Sequence, residues 1–243
     1  MTTFRIEIGS FIMAIMFLFS SGSCQTSPAN GFNTRLFKNT PIYQIAKAIA
    51  KQDTLSIEEM IRKNPTLISF QEPKFGESLL DFAVINDKIN SVEKLLMLGS
   101  DPNLRSPIDN STPFLDACRY SGSLVNSDEI IALLVKHGAE VNSSQFDTAH
   151  DETKITALKL ACYHGKLKTV QILVDNGANL TSYPSNEGSL VCAALLTDKL
   201  DIVKYLLLDK KLPTPWFVAS RNSIKHIIIQ PFVSQFYFIA TYL

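Results

Sequence analysis

The side chains able to do chemistry in this 243-residue chain are few, and they include four histidines and four cysteines. His150 stands in the stretch DTAHDE, Asp147 to Glu152, beside Asp147, Asp151 and Glu152. An imidazole among three carboxylates could hold a divalent cation or pass a proton in metal-assisted hydrolysis. The stretch lacks a metal-ligand spacing, so a solvated loop is its simpler reading. It is the one enzymatic alternative in the chain. His137, in KHGA, is read as a structural residue at a helix end, and His164, in CYHG, as an exposed polar residue.

The usual signatures of catalysis are not in the sequence. There is no G-x-G-x-x-G, no phosphate-binding G-x-x-x-x-G-K-[ST], no H-E-x-x-H and no G-x-S-x-G. A non-catalytic chain with no cofactor and no metal is expected. Lys plus Arg and Asp plus Glu both number 23, so no charge excess argues for a nucleic-acid partner. A hydrophobic fraction of 46% is enough for a packed core.

The elements that must position these residues begin after an N-terminal leader. Arg5 precedes an apolar run, Phe11 to Phe19, then the small residues Ser21, Gly22 and Ser23, then Cys24. The run is about half the ~20 residues needed to span a bilayer. It reads as a secretory signal over residues 1–23. It resembles a bacterial lipoprotein signal, which implies a lipidated Cys24 and a membrane anchor in the bacterial envelope. Ser21 departs from the Leu of the strict pattern, and ordinary cleavage after Ser23 fits the same residues. Residues 24–39, rich in polar residues with Pro, Gly, Ser and Asn, read as a flexible tether.

The stretch TALKLACYHGKLKTVQILVDNGANL, Thr156 to Leu180, is one of several similar segments. Ala48, Ala83, Ala117, Ala161 and Ala194 align, with steps of 35, 34, 44 and 33 residues. Each segment holds two short apolar runs of helical period. A period near 33 with two helices, together with STPFLDA, KHGAEVN and NGANL, resembles the ankyrin repeat. The resemblance implies an all-α ankyrin-repeat solenoid of stacked helix–turn–helix units with connecting hairpin loops. It covers residues 40–212 as about five units, the first degenerate. Residues 213–243 form a degenerate repeat or an apolar C-terminal tail.

Several local expectations follow. Thr156 caps a first helix, and Pro113 fits the first helical position. Gly99, Gly138 and Gly177 stand past the second helices, where a positive φ is cheap for glycine. Val170, Leu173 and Val174 form an inner stripe, as do Val92, Leu95 and Leu96. The step of 44 contains two insertions, one in SGSLVNSDE between the helices and one in SSQFDTAHDE at the next hairpin. Cys118 and Cys162 occupy equivalent positions in neighbouring units. Helices ~8–10 Å apart do not bring Cα atoms within the ~7 Å of a disulfide.

The resemblance also implies a protein-binding module whose contacts come from hairpin tips and from two first-helix positions. These positions are Ile85 and Asn86, Arg119 and Tyr120, and Tyr163 and His164. The tips add Phe75, Asp109, Phe146 and Glu152. The expected function is a membrane-tethered protein–protein interaction module with an unidentified protein partner.

Overall fold

A computed structural model describes residues 33–146, 154–181 and 190–212. Five helix pairs follow one another along the described chain. They are α1 (Tyr43–Lys51) with α2 (Thr54–Lys63), α3 (Leu79–Ile85) with α4 (Ile89–Met97), and α5 (Pro113–Tyr120) with α6 (Ser127–Lys136). Then come α7 (Ala157–His164) with α8 (Leu167–Asp175) and α9 (Leu190–Leu195) with α10 (Leu200–Lys204). First helices stack on first helices and second helices on second helices along the whole series. The result is the expected all-α solenoid.

Side-chain caps start α2, α3, α5 and α7. Asp53 accepts from the Ser56 amide at 3.1 Å, and Thr112 accepts from the Leu115 amide at 3.1 Å. Thr156 accepts from the Lys159 amide at 3.2 Å. Ser78 and Asp81 exchange hydrogen bonds in a capping box at the head of α3. Pro113 opens α5, where a missing amide hydrogen costs nothing. Gly99, Gly138 and Gly177 take φ of 94°, 91° and 84°, which ends three second helices. In the last pair, α10 continues into a π turn, Tyr205–Asp209, and the positive φ falls on Lys211 instead.

The core follows the repeat register. Ala48, Ala83, Ala117, Ala161 and Ala194 are all buried, so first helices meet at a column of small side chains. Val92, Leu95, Leu96, Val170 and Leu173 are buried beneath them. Val174 is only half-buried and sits at the edge of its stripe. Cys118 and Cys162 are buried free thiols, with no bridge between them.

Two features differ from the sequence reading. Residues 34–37, expected within the tether, form a 3-10 turn, Thr34–Phe37, capped by Asn33. Phe37 is fully buried and meets Phe82 edge-on, ring centres 5.2 Å apart. The folded stack therefore begins before residue 40, because an aromatic ring covers its first pair. Secondly, the start of the stretch read as a long hairpin loop pairs with the residues just after it in a two-stranded antiparallel ribbon. It consists of β1 (Ser144–Phe146) and β2 (Lys154–Thr156), with Gln145 opposite Ile155. Residues 213–243, read as a degenerate repeat or an apolar tail, lie outside the described residues, as do residues 1–32 with Cys24. No helix of the described residues is long and apolar enough to cross a membrane.

Candidate partner-binding site

The hairpins that join the units are laced to one another. Gln71 Nε2 donates to the Arg105 carbonyl at 2.8 Å. Arg105 Nη1 donates to the Asn110 carbonyl at 3.1 Å and to the Ser144 carbonyl at 3.2 Å. Gln145 Nε2 donates to the Asp109 carbonyl at 2.6 Å. These bonds tie three successive hairpins into one ridge above the first helices.

The insertion in the third unit, residues 121–126, is pinned from both neighbours. The Asp87 carboxylate accepts from the amides of Val125 and Asn126, each at 3.1 Å. Lys166 Nζ donates to the Leu124 carbonyl at 2.9 Å. Gly122 lies so close to the next unit that a Cβ there would overlap the His164 carbonyl oxygen. Only glycine lets the inserted turn ride over the end of α7.

This arrangement leaves a shallow cavity of about 410 Å³ lined by Arg119, Tyr120, Gly122, Ser123 and His164. Three of the five residues were expected from first-helix register. Gly122 and Ser123 come from the insertion, whose length signals a departure from the repeat but not where it folds. Tyr163 is half-buried, packs against the core and meets the His164 ring edge-on at 4.6 Å. It is not among the residues that line the cavity.

Arg119 links the cavity to the ridge. Its Nη2 donates to Gln145 Oε1 of the ribbon, and its Nε donates to Asp116 Oδ1 at 3.3 Å. The long hairpin and the first-helix patch thus meet through Gln145. Ile85 is a correction. All seven residues of α3 are buried, and Ile85 is 5% exposed, because α3 is enclosed between α1 and α5. Asn86 is half-buried and spends its Nδ2 on the Phe82 carbonyl at 2.8 Å, closing its own helix. The backbone of Phe146 lies in β1, while its side chain, Glu152 and the His150 group fall outside the described features.

Sequence reasoning missed a buried acidic group beneath the ridge. Asp81 accepts from the Ser78 amide at 2.9 Å and from its hydroxyl at 2.6 Å. Asp116 accepts from the Ser111 hydroxyl at 2.7 Å as well as from Arg119. Burial raises both carboxyls above their ordinary range, against these hydrogen bonds. Burial also pushes the Tyr120 phenol up, and the nearby charge of Asp116 adds to it. At the other rim, partial desolvation lowers His164, helped by the positive charges of Arg119 and Lys199. His164 is therefore a neutral imidazole at pH 7. The Ser-x-x-Asp pattern at Ser78–Asp81 was the available signal, since a capping carboxylate is buried when its helix is enclosed.

The cavity offers hydrogen-bonding and aromatic surface. Its one serine, Ser123, donates its hydroxyl to the Tyr120 carbonyl at 2.9 Å. Among the described residues, no group of three His, Cys, Asp or Glu side chains is placed to hold a metal ion.

The family model for ankyrin repeats in three copies matches residues 80–184 and 126–214. The chain belongs to the ankyrin-repeat family. Ankyrin repeats are generally protein-binding scaffolds rather than catalysts. This ankyrin-repeat chain is also similar to a putative ankyrin repeat protein of Fowlpox virus (strain NVSL). The two are 35% identical over 133 residues, which is 54% of this chain and 36% of the relative. The chain thus spans about a third of that protein's length.

Proposed function

We propose that this chain is a non-catalytic module that binds one protein partner at the edge where α5, α7 and the ribbon meet. The observation that carries this reading is the cavity lined by Arg119, Tyr120, Gly122, Ser123 and His164. It holds an Arg and a Tyr, residue types enriched among interface anchors. It is held open by a pinned insertion, so little ordering entropy opposes docking. Alanine at Arg119 or Tyr163 would disturb more than the cavity, because Tyr163 packs against the core and Arg119 holds the ribbon. Ser123→Trp together with His164→Ala fills and strips the cavity while leaving the ridge bonds in place. Affinity capture with this folded variant and with the parent chain should differ in one protein. A partner that is captured equally by both places the interface elsewhere.

The finer reading is that the module is exported and tethered in a bacterial envelope through lipidated Cys24. Its support is the apolar run Phe11–Phe19 followed by small residues and a Cys. A lipid anchor there would hold the stack near a membrane through the short polar segment after it. Cys24→Ser should move the protein from the membrane fraction to the soluble fraction. Unchanged retention of that variant counts against the anchor.

A further inference from the structure

Glu77 lies in the hairpin before α3, where its carbonyl accepts from the Glu72 amide at 2.8 Å. Its Oε2 is buried and has no hydrogen-bond partner. A buried carboxylate oxygen without a donor is costly when charged and far less so when protonated. The groups around it deepen this preference. Glu72 comes from the same hairpin, Asp81 from α3, Asp109 from the next hairpin, and Asp116 from α5. Arg119 answers Asp116 and shares its guanidinium with Gln145, while Arg105, on the second hairpin, donates to the Asn110 and Ser144 carbonyls. Lys74, on the same hairpin as Glu77, lies over the Phe75 ring, 4.9 Å from its centre.

The position of these groups matters as much as their number. Glu77 and Asp109 stand in the first and second hairpins of the laced ridge. Asp81 and Asp116 stand on the two helices beneath it. The bond from Gln71 to Arg105 joins the same two hairpins. Gly76 packs so tightly beneath the second hairpin that a Cβ there would meet Pro107 Cδ at 3.0 Å. Charge on this group therefore pushes apart elements that the ridge holds together.

We infer that Glu77, with Asp81 and Asp116 beside it, forms a proton-linked latch, which holds the first two hairpins on α3 and α5 when Glu77 is protonated and loosens them as it ionises. Burial raises Glu77 well above the ordinary carboxylate range, and the charges of Asp81, Asp116, Asp109 and Glu72 push the same way. Asp81 and Asp116 are raised by burial too. The closed form then holds protons that the open form gives up. For carboxyls raised in the folded state, the stabilisation is fully present below the ordinary value of about 4 and is lost as pH rises toward the raised values. The latch is therefore tightest in mild acid and weakens through neutral pH. This does not depend on any partner of the chain.

Hydrogen–deuterium exchange on the full chain tests it, with rates corrected for the intrinsic effect of pH. The peptides to follow cover residues 70–78 and 105–116, with α8 as internal reference. One proton released on opening changes the opening equilibrium by up to about tenfold per pH unit. Protection in the two hairpins should accordingly fall at least about tenfold between about pH 5.5 and about pH 7.5, relative to α8. Glu77→Gln, which keeps the shape and removes the charge, should reduce that dependence, and Asp81→Asn is the second variant. An unvarying ratio of hairpin to α8 exchange in the parent chain overturns the latch, whether or not either variant folds. So does an undiminished pH dependence in both folded variants.

Discussion

Asn103 and Asn142 make the same pair of hydrogen bonds one unit apart. Asn103 Nδ2 donates to the Gly138 carbonyl at 2.9 Å, and its Oδ1 accepts from the Glu140 amide at 2.8 Å. Asn142 Nδ2 donates to the Gly177 carbonyl at 3.1 Å, and its Oδ1 accepts from the Asn179 amide at 2.8 Å. Each Asn therefore fastens the end of its own unit to the glycine turn of the next. Each bond is worth about 0.5–1.5 kcal/mol net. Asn103→Ala and Asn142→Ala should each lower stability by about 1–3 kcal/mol, measured by urea unfolding. The two losses should add, because the sites share no partner. A double variant no less stable than either single one would contradict this.

Gly122→Ala should be disproportionately harmful for a surface substitution. The new methyl meets the His164 carbonyl, which belongs to the backbone and has little room to move. Forcing the two apart should cost about 1–3 kcal/mol. Protection of residues 121–126 against exchange should fall with it. A melting temperature equal to that of the parent chain would show that the turn sits higher over α7 than described.

The core register is open to a paired test. Leu173 is fully buried, and Val125, at the crest of the insertion, is 82% exposed. Leu173→Ala should cost about 2–5 kcal/mol. Val125→Ala should stay within about 0.5 kcal/mol of the parent. Equal effects in chemical denaturation would undo the assignment of inner and outer faces.

Cys118 and Cys162 should resist thiol reagents in the native state. Both are buried, and burial pushes their thiols far above the ordinary cysteine range. Peptide mapping after a brief alkylation should find both unmodified until denaturant is added. Rapid native labelling of either would mean that its helix is open to solvent.

The repeat was legible because its signals are local and recur. Ala83, Ala117 and Ala161 mark the same contact in successive units, and Thr112 and Thr156 mark the same cap. Gly99, Gly138 and Gly177 mark the same turn. What escaped was set by contacts from elsewhere in the chain. Ile85 occupies an outward position by register but is covered because α3 is short and enclosed. Gln145 gives no sign in sequence that it will reach both Arg119 and Asp109. The strands of the ribbon are three residues each, too short to show an alternating pattern. Phe37 follows Leu36 in an otherwise polar stretch, and its burial comes from contacts with the stack, Phe82 among them.

The bonds between units also limit how the chain can change in length. Gln71 reaches Arg105 across 34 positions, Asn103 reaches Gly138 across 35, and Asp87 reaches Asn126 across 39. Each is a link from one unit to its neighbour, and none skips a neighbour. Copying one whole unit would hand a recurring link, such as that from Asn103 to Gly138 or from Asn142 to Gly177, an equivalent partner. Adding a single residue inside a helix would instead rotate every later side chain on it by about 100°. The stack can lengthen by whole units, like a sentence edited by the clause, and hardly at all by the letter.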